Sequence, residues 1–487
     1  MAQKHKMHIG GKWVDSESRQ YFPTLNPATE QAVAEFPQGT ADDARQAIDA
    51  AERAFEEWSS LPAPKRAQIL YKALELLKKN KESLARLVST EMGKVIAEGR
   101  GDVQEAIDIT EYMAGEGRRL FGHTTTSELR NKFSMTVRRP VGVFSLITPW
   151  NFPIAIPAWK IMPALICGNT VVFKPSSDTP LCAAELVKIL IQAGLPKGVL
   201  NFVTGSGESV GKEMIASKRV RGVSFTGSKD TGEFILKNAG IKKIGLEMGG
   251  KNAIIIMDDA NLELALDGVI WGAFGTTGQR CTACSRVIVG QEVQKDFEKI
   301  LVERTKKLRL GSGLKKTTDI GPLINKRAVE KSEMYTEIGK GEGAKLLVGG
   351  EVPKGKGFFF KPTIFTGVER KMRIAREEIF GPVLSVLSCS DIEEAVRTCN
   401  SIEYGLSSAV YTRDVSKAFY AIEKIEAGLT YVNSSTIGSE VHLPFGGVKG
   451  TGSTREAGIE GINEFSETKT VYIDYSGRLQ KAQIDVD

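Results

Sequence analysis

The chain has 487 residues, of which 41% are hydrophobic and 25% charged, and its formal net charge is +6. These values are ordinary for a globular protein and exclude a disordered or fibrous chain. No block of lysine and arginine concentrates the charge, so a dedicated nucleic-acid binder is not expected. At roughly 150 residues per domain, the length predicts about three domains or one large two-lobed fold.

Targeting signals and histidine-based sites are scarce in the sequence. The first residues lack the apolar segment of a secretory signal, and the apolar stretch 154–166 is too short and too interrupted by prolines to span a bilayer. Six cysteines in a chain of this length do not indicate a disulfide framework, so a cytoplasmic protein is expected. Of the four histidines, only His123 and His442 lie outside the N-terminal leader, and no metal site is predicted.

The first 120 residues change from short β segments to helices. Turn signals divide residues 9–40 and predict a hairpin-like start. From Thr40 to Arg119, apolar residues recur at three- and four-residue spacing, which is typical of amphipathic helices. Thr40 is the predicted cap of the first helix.

From Val137 onward, β-rich runs alternate with helical segments. The predicted strands lie in VGVFSLIT, NTVVFKPS, VLNFVTG, VRGVSFTGS and KKIGLEMGG, and the predicted helices between them cover 179–193, 207–217 and 229–239. This alternation indicates βαβ units and an α/β fold with a parallel sheet. A second α/β stretch, from 252 to about 445, contains a helix from Asn261 through Trp271, a strand at SRVIVG and a helix over 291–308. The segment ETKTVYIDY (467–475) alternates like an edge strand.

Two turns at the carboxyl ends of these strands are candidate ligand contacts. GSGESVG (205–211) opens a helix after a strand, where glycines let a phosphate approach backbone N–H groups. Its spacing is not G-x-G-x-x-G, so a plain strand–helix turn is an equally good interpretation. Lys174 closes a predicted strand at the same sheet edge, where a cation suits a ribose or phosphate; a solvated lysine is the simpler alternative.

Cys281, in GTTGQRCTA, is the candidate nucleophile. A small buried thiol is the commoner role of a cysteine, but the glycine-rich lead-in and Arg280 favour a partly exposed site that stabilises the thiolate. Cys284 forms a C-x-x-C with it; no second C-x-x-C or paired histidine follows, so a zinc or redox site is not expected. Glu247 ends an apolar strand, where a raised pKa would make it a usable base. Asn151, in TPWNFP, is either a turn former or an oxyanion donor.

Together these motifs resemble the NAD(P)-dependent aldehyde dehydrogenases over almost the whole chain. The matching motifs, in chain order, are TPWNFP, FKPS, FTGS, LEMGGK, GQRC, EEIFGPV and PFGGVKGTG. The spacing from Asn151 to Lys174 and from Glu247 to Cys281 also matches the family. The resemblance implies a Rossmann-type NAD(P)-binding domain, an α/β catalytic domain and a small β oligomerisation arm.

The resemblance also implies the limits and the role of each domain. Residues 1–121 and 141–248 would form the NAD(P)-binding domain, and 249–445 the catalytic domain. Residues 122–140 and 466–487 would form the arm, which in the family adds a strand to a partner subunit. A homodimer or homotetramer is therefore expected, and an unpaired arm edge would otherwise favour aggregation.

The family's chemistry assigns three catalytic roles by resemblance. Cys281 would attack the aldehyde, and the Asn151 amide and the Cys281 backbone N–H would hold the resulting oxyanion. Hydride would pass to the nicotinamide and leave a thioester, which water activated by Glu247 would hydrolyse. The presence of Glu247 favours release of a free acid over transfer of the acyl group to coenzyme A.

The cofactor implied by the resemblance is NADP or NAD. Lys174 resembles the family's ligand of the adenine ribose, Ser228 and the GSG turn its pyrophosphate region, and Glu378 and Phe380 its contacts to the nicotinamide ribose. The full implied set is Thr148, Pro149, Trp150, Lys174, Ser176, Ser177, Gly205, Gly207, Gly211, Phe225, Thr226, Gly227, Ser228, Met248, Gly249, Glu378 and Phe380. NAD-preferring members often have Glu where this chain has Ser177, so NADP is expected to be at least accepted.

The implied substrate contacts are Trp159, Arg280 and Thr282. Trp159 stands where succinate-semialdehyde dehydrogenases tend to have a carboxylate-binding arginine, and the surrounding motifs look most like family members that oxidise 2-oxoglutarate semialdehyde (2,5-dioxopentanoate). Arg280 would bind a distal carboxylate or form a structural salt bridge. A short polar or acidic aldehyde is expected, with succinate semialdehyde, glyceraldehyde and lactaldehyde as alternatives.

Two other classes of protein use the same residues differently. A cysteine hydrolase or acyltransferase would also use Cys281, but it normally needs a histidine base, for which only His123 and His442 are available. A non-catalytic protein on this scaffold would not need Cys281, Glu247 and Asn151 together.

Overall fold

The structure is a computed structural model that describes residues 2–484, so the last three residues of the expected arm lie outside the described residues. Its strands, in chain order, are β1 Gln3–Lys4, β2 Met7–Ile9, β3 Lys12–Val14, β4 Tyr21–Asn26, β5 Gln31–Pro37, β6 Thr124–Thr126, β7 Lys132–Pro140, β8 Val143–Ile147, β9 Thr170–Lys174, β10 Leu200–Phe202, β11 Val220–Thr226, β12 Lys243–Glu247, β13 Asn252–Ile256, β14 Cys284–Gly290, β15 Lys345–Val348, β16 Thr363–Thr366, β17 Val383–Cys389, β18 Tyr404–Gly405, β19 Ser407–Tyr411, β20 Leu429–Val432, β21 Val448–Lys449 and β22 Ser466–Asp474. Its α-helices are α1 Ala41–Ser60, α2 Ala63–Glu91, α3 Ile96–Glu116, α4 Ala155–Ile166, α5 Pro180–Gln192, α6 Lys212–Ala216, α7 Lys229–Asn238, α8 Leu262–Phe274, α9 Gln291–Lys306, α10 Lys326–Gly341, α11 Arg373–Arg376, α12 Ile392–Asn400, α13 Val415–Lys424 and α14 Gly458–Glu464.

The first large sheet has the strand order β12-β11-β8-β9-β10-β2-β3. The first five strands of this order are parallel, and the β2–β3 hairpin is added antiparallel beside β10. All five residues of β9 are buried, as expected for a parallel strand covered on both faces. One face packs against α4 and α5 and the other against α1 and α6. The five predicted strands and the predicted hairpin-like start are confirmed.

A reversal of strand order in this sheet creates the crevice for the site. The chain proceeds from β8 through β9 to β10, then returns to the other side of β8 with β11 and β12. β8 and β11 are therefore neighbours, with Ile147 opposite Phe225 at their carboxyl ends. Ligands of open α/β sheets bind at such a reversal, because the two loops diverge there. The turn after β8, which carries Asn151, and the end of β11 at Thr226 line a cavity in this crevice.

The second large sheet has the order β15-β16-β17-β14-β13-β19-β20. Only β15 is antiparallel to its neighbour, and all of β13 is buried. Helices α8 and α9 cover one face, and α10 and α12 cover the other. The predicted helices at 261–271 and 291–308 and the predicted strand SRVIVG are confirmed.

A small three-stranded sheet, β22-β7-β6, has no strand hydrogen-bonded to either large sheet among the described residues. β22 pairs antiparallel with β7 along its whole length, from Ser466 opposite Pro140 to Asp474 opposite Lys132. The predicted edge strand is confirmed, and Tyr472 on it is 65% exposed. None of the helices between residues 2 and 484 has the length and apolar character needed to cross a membrane.

Local polar contacts fix the helices that frame the site. Thr40 caps α1 as predicted: its hydroxyl oxygen accepts from the Asp43 N–H at 3.2 Å, and the Asp43 carboxylate accepts from the Thr40 N–H at 2.8 Å. Asp102 of α3 accepts from the backbone N–H of Ala155 at 2.8 Å, at the start of α4. Its other oxygen lies 3.0 Å from Lys94 Nζ, and both side chains are fully buried.

We expect Asp102→Asn to lower the free energy of unfolding by about 3–5 kcal/mol, because it leaves the Lys94 cation buried without its partner. The amide oxygen of the variant would still accept from the α4 backbone, so the loss of stability measures the effect of the missing charge alone. Urea unfolding measures it, with Asp108→Asn as the same change on the same helix outside the pair. Equal stability of the two variants would show that the ion pair does not hold α3 to α4.

Candidate active site

Cys281 lies where two cavities meet. The α3-side cavity has a volume of about 370 Å³ and extends along helix α3. The β11-side cavity has a volume of about 310 Å³ and extends along the turns after β8 and β11. Cys281, Thr226 and Met248 line both cavities, so a group bound on one side can meet a group bound on the other at the thiol.

The loop that presents Cys281 has an unusual backbone. Thr276, Thr277 and Gly278 are consecutive left-handed residues, with φ of 50°, 57° and 70°. A non-glycine residue in this region is strained, so such a run persists only where other contacts hold it. The Thr276 N–H donates to Glu98 Oε1 at 2.7 Å, and the Thr277 hydroxyl donates to the Gly321 carbonyl at 3.0 Å.

Arg280 joins this loop to helix α3. Its Nε donates to the Thr276 hydroxyl at 2.8 Å, and a terminal nitrogen lies 3.2 Å from Glu98 Oε1. The guanidinium lies 5.3 Å from the centre of the Phe152 ring and 5.9 Å from that of Trp271, within the range of cation–π attraction. Arg280 also lines the α3-side cavity, so it forms a salt bridge and faces the cavity at once.

The expectation that this site favours the thiolate is wrong for the free protein. Cys281 is half-buried, as predicted, but its pKa is raised to about 12. Burial is the largest cause, followed by the negative charges of Glu247 and Glu378; Arg280 opposes them more weakly. Arg280, which is paired with Glu98, does not outweigh burial and the two carboxylates.

Asn151 lies beside the nucleophile loop in the turn after β8. Its side chain is buried, and Nδ2 donates to the carbonyl of Gln279 at 3.1 Å. The Cys281 carbonyl accepts from Asn252 Nδ2 at 2.7 Å, whereas the Cys281 N–H has no acceptor within residues 2–484. An unpaired N–H and a nearby amide are the two donors that an oxyanion at this position requires.

Glu247 ends β12 and lies in the wall of the α3-side cavity. Both carboxyl oxygens are buried without a hydrogen-bond partner among the described residues. Burial, then repulsion from Glu456, raises the pKa of Glu247 well above its usual range, and Lys160 acts in the opposite direction. Gly446 leaves room for this carboxyl group, because a Cβ there would lie 2.6 Å from Glu247 Oε1.

A buried ion pair stands behind Glu247. Lys160 of α4 is fully buried and contacts Glu456, and its Nζ also donates to the Ser224 hydroxyl at 2.8 Å. The cation therefore has two partners of its own. It moderates the pKa of Glu247 without pairing with it.

The β11-side cavity collects about half of the residues expected to bind the cofactor. Those that line it are Pro149, Trp150, Thr226, Gly227, Ser228, Met248, Gly249, Glu378 and Phe380. Glu378 is fixed to the turn after β12, since its Oε1 accepts from the Gly250 N–H at 2.9 Å. Gly249 is required there, because a Cβ would lie 2.3 Å from the Glu378 carboxylate.

The other expected cofactor residues lie outside this cavity, along the carboxyl ends of β8, β9 and β10. Lys174 is buried, donates to the Pro175 carbonyl at 3.2 Å and has its pKa lowered to about 8 by burial. The Ser177 hydroxyl donates to the Gly205 carbonyl at 3.4 Å, which brings the FKPSS turn, with Ser176, against the GSG turn. Thr148 is buried next to the end of β9, where its N–H donates to the Lys174 carbonyl.

The segment 205–211 is a helical turn rather than an open glycine loop. Gly207–Gly211 forms one π-helical turn that continues into α6, with Ser206 as its cap. A Cβ at Gly207 or Gly211 would meet nothing within 4 Å, so the space in front of both is open. Phe225 is 4% exposed, packs in the core beneath Gly227 and lines neither cavity.

The three expected substrate contacts line the α3-side cavity: Trp159, Arg280 and Thr282. Three acidic residues of α3 also line it and were not singled out from the sequence: Glu98, Asp102 and Glu105. Their spacing of four and three residues places them on one face of a helix, which is a signal that the sequence does contain. Lys331 of α10 lines the β11-side cavity and was likewise missed.

Comparison with known proteins identifies relatives along the whole chain. A sequence profile of the Aldehyde dehydrogenase family matches residues 13–471. The alpha-ketoglutarate semialdehyde dehydrogenase of Haloferax volcanii is 43% identical, over 98% of this chain and 100% of its own. The 2,5-dioxopentanoate dehydrogenase of Saccharolobus solfataricus is 41% identical, over 95% of this chain and 98% of its own. The crystal structure of betaine aldehyde dehydrogenase from Staphylococcus aureus in complex with NAD+ superposes with a TM-score of 0.96 at 37% identity, over 98% of this chain and 95% of the other.

The raised pKa of Cys281 predicts how the free protein reacts with iodoacetamide. Because only the thiolate reacts, the alkylation rate at Cys281 should rise about tenfold per pH unit up to about pH 9 without a plateau. Mass spectrometry of the peptide measures this rate. Cys281→Ala is the control, and it should react little because the other five cysteines are buried. A plateau below about pH 8 would contradict a burial-dominated pKa.

Proposed function

We propose a substrate and a set of residue roles for this chain, which belongs to the aldehyde dehydrogenase family and is an NAD(P)-dependent enzyme that oxidises an aldehyde to its acid. The proposed substrate is a short acidic aldehyde such as 2,5-dioxopentanoate. The observation that carries the proposal is Arg280, the one basic side chain among the described residues that line the α3-side cavity. Its guanidinium can bind a distal carboxylate while the aldehyde lies at Cys281, the adjacent residue in the chain.

The proposed chemistry starts at Cys281. Its thiol transfers its proton to solvent or a nearby base, and sulfur bonds to the aldehyde carbon to give a thiohemiacetal oxyanion. The Asn151 amide and the free Cys281 N–H stabilise this oxyanion. After the C–H hydride has left, the resulting thioester is attacked by water. Glu247, a stronger base because of its raised pKa, accepts the water proton while the water oxygen bonds to the thioester carbon. The C–S bond then breaks, the proton passes to the departing sulfur, and the acid and the thiol are released.

The residues present fit a bound NAD or NADP. Lys174 is a buried cation without a carboxylate partner, and the buried hydroxyl oxygens of Thr148 and Thr226 have no partner among the described residues. Such unpaired groups suit the ribose and phosphate groups of a nucleotide. Lys174 and Ser177 would hold its adenosine end, and Glu378 with Phe380 its other end. When bound, the nicotinamide supplies the hydride acceptor on the cofactor side of Cys281.

The domain roles and the assembly complete the proposal. The sheet with β8–β12 serves as the cofactor-binding domain, the sheet with β13–β17, β19 and β20 as the catalytic domain, and β6, β7 and β22 as the oligomerisation arm. The exposed Tyr472 and Ile473 on β22 support burial of this edge by a second copy in a homodimer or homotetramer. Six free cysteines support a cytoplasmic location.

A second candidate function has its own supporting observation. Glu98 and Glu105 line the same cavity as the aromatic rings of Phe152 and Trp271. Carboxylates together with aromatic faces suit a cationic aldehyde. The structural relative from Staphylococcus aureus is named a betaine aldehyde dehydrogenase. We favour the acidic substrate, because the Arg280 guanidinium already occupies the space over both rings.

The substrate proposal is tested with a panel of aldehydes, reading the absorbance of the reduced cofactor. We expect Arg280→Met to raise the KM for 2,5-dioxopentanoate about 10- to 100-fold, which is the loss of one charge-assisted contact of about 1.5–3 kcal/mol. Pentanal, without a carboxylate, reports any indirect effect on the nucleophile loop. Arg280→Lys retains the charge as a matched control, and Cys281→Ala should show no turnover. Preference of the wild-type enzyme for a cationic aldehyde would instead support the second candidate.

Cofactor preference depends on Ser177 in this proposal, since no carboxylate stands there to repel a 2′-phosphate. We expect Ser177→Glu to lower the ratio of kcat/KM for NADP to that for NAD at least about tenfold, through like-charge repulsion. Ser177→Gln controls for size without charge. A wild-type enzyme that strongly prefers NAD would contradict this role of Ser177.

A further inference from the structure

Glu105 is the one acidic group on the cavity-facing side of α3 that has no partner among the described residues. Glu98 accepts from Thr276 and pairs with Arg280, and Asp102 pairs with Lys94. Glu105 lines the same cavity, and within residues 2–484 it makes no hydrogen bond and no ion pair. A carboxyl group in the wall of a cavity without a protein partner is available to whatever binds there.

The charges around Glu105 do not favour its ionised form. The groups that act on it are Asp102 and Asp108 on its own helix, Lys94 before that helix, and Arg280 from the nucleophile loop. Each of the two cations is already paired, Lys94 with Asp102 and Arg280 with Glu98. Burial and the charge of Asp102 outweigh both cations, and the pKa of Glu105 is raised to about 7.

An acidic aldehyde brings a further negative charge into this arrangement. Its distal carboxylate, bound at Arg280, would be a second carboxylate on a guanidinium that Glu98 already engages. An ionised Glu105 in the same wall would repel it, whereas a neutral carboxyl group can donate its proton in a hydrogen bond to it. An uncharged aldehyde imposes no such condition.

We propose that Glu105 is a specificity-determining residue that admits an acidic aldehyde only when its own carboxyl group is protonated, so that one proton is bound together with the substrate. The proton stays on Glu105 while the distal carboxylate is bound and returns to solvent after the product leaves. The inference rests on the proposed function, because it requires an acidic substrate at Arg280.

The test compares two five-carbon aldehydes, 5-oxopentanoate and pentanal, which differ by one carboxylate. The ratio of their kcat/KM values is measured between about pH 6 and pH 8. Titration of Cys281, Glu247 and the cofactor affects both substrates equally and cancels in this ratio, so the ratio reports only the contacts of the distal carboxylate. If only the protonated form of Glu105 accepts the acid, apparent affinity falls with its fraction, and the ratio should decrease about tenfold over this range.

Two variants distinguish the effect of the Glu105 charge from that of other charges on the same helix. Glu105→Gln keeps a hydrogen-bond donor and has no charge, so the ratio should become independent of pH and stay near the low-pH value of the wild type. Asp108→Asn removes the same charge from the same helix but lies outside the cavity lining, and it should keep the decrease. Melting temperatures confirm that both variants are folded.

The wild-type profile decides the inference even if Glu105→Gln does not fold. A ratio that is independent of pH, or a decrease that persists in folded Glu105→Gln, overturns the role of Glu105 and leaves the proposed function standing. If 5-oxopentanoate is a poorer substrate than pentanal at every pH, the acidic substrate itself is wrong, and the inference fails with it.

Discussion

Exclusion of water is the condition on which the chemistry of this site depends. Cys281, Glu247 and Lys174 each have a pKa displaced toward the uncharged form, and burial is the first cause in every case. A thiol that remains neutral in the free protein is protected from alkylation and oxidation. A carboxyl group whose ionised form is disfavoured is also a stronger base when it does ionise. In the free protein the ionised forms of the thiol and the carboxyl group are therefore disfavoured, although Arg280 and Lys160 partly stabilise them.

The same environment explains why the nucleophile loop needs helix α3. Two left-handed threonines, Thr276 and Thr277, cost of the order of 1–3 kcal/mol each, so they persist only where other contacts hold the backbone. Glu98 offsets this strain by accepting from the Thr276 N–H and by pairing with Arg280 on the far side of the turn. One carboxylate thus fixes the backbone before Cys281 and the guanidinium beside it, which couples the position of the nucleophile to the shape of the cavity.

Secondary structure and the chemical groups were predictable from local sequence, whereas their electrostatics were not. The Thr40 cap and the five strands after Val137 depend on neighbours within a few residues, and the structure confirms them. The pKa of Cys281 depends first on burial and then on Glu247 and Glu378, which are distant along the chain, and together they outweigh the lowering effect of Arg280 that the local sequence suggested. The burial of the Phe225 ring beneath Gly227 likewise depends on tertiary packing.

The connection between the two large sheets gives the site its internal geometry. β12 ends at Glu247 and β13 begins at Asn252, so only four residues separate the base from the first residue of the second sheet. Asn252 then binds the nucleophile loop through hydrogen bonds to the carbonyls of Cys281 at 2.7 Å and Ala283 at 3.0 Å. The position of Cys281 relative to Glu247 is thus set by this short connection and one amide.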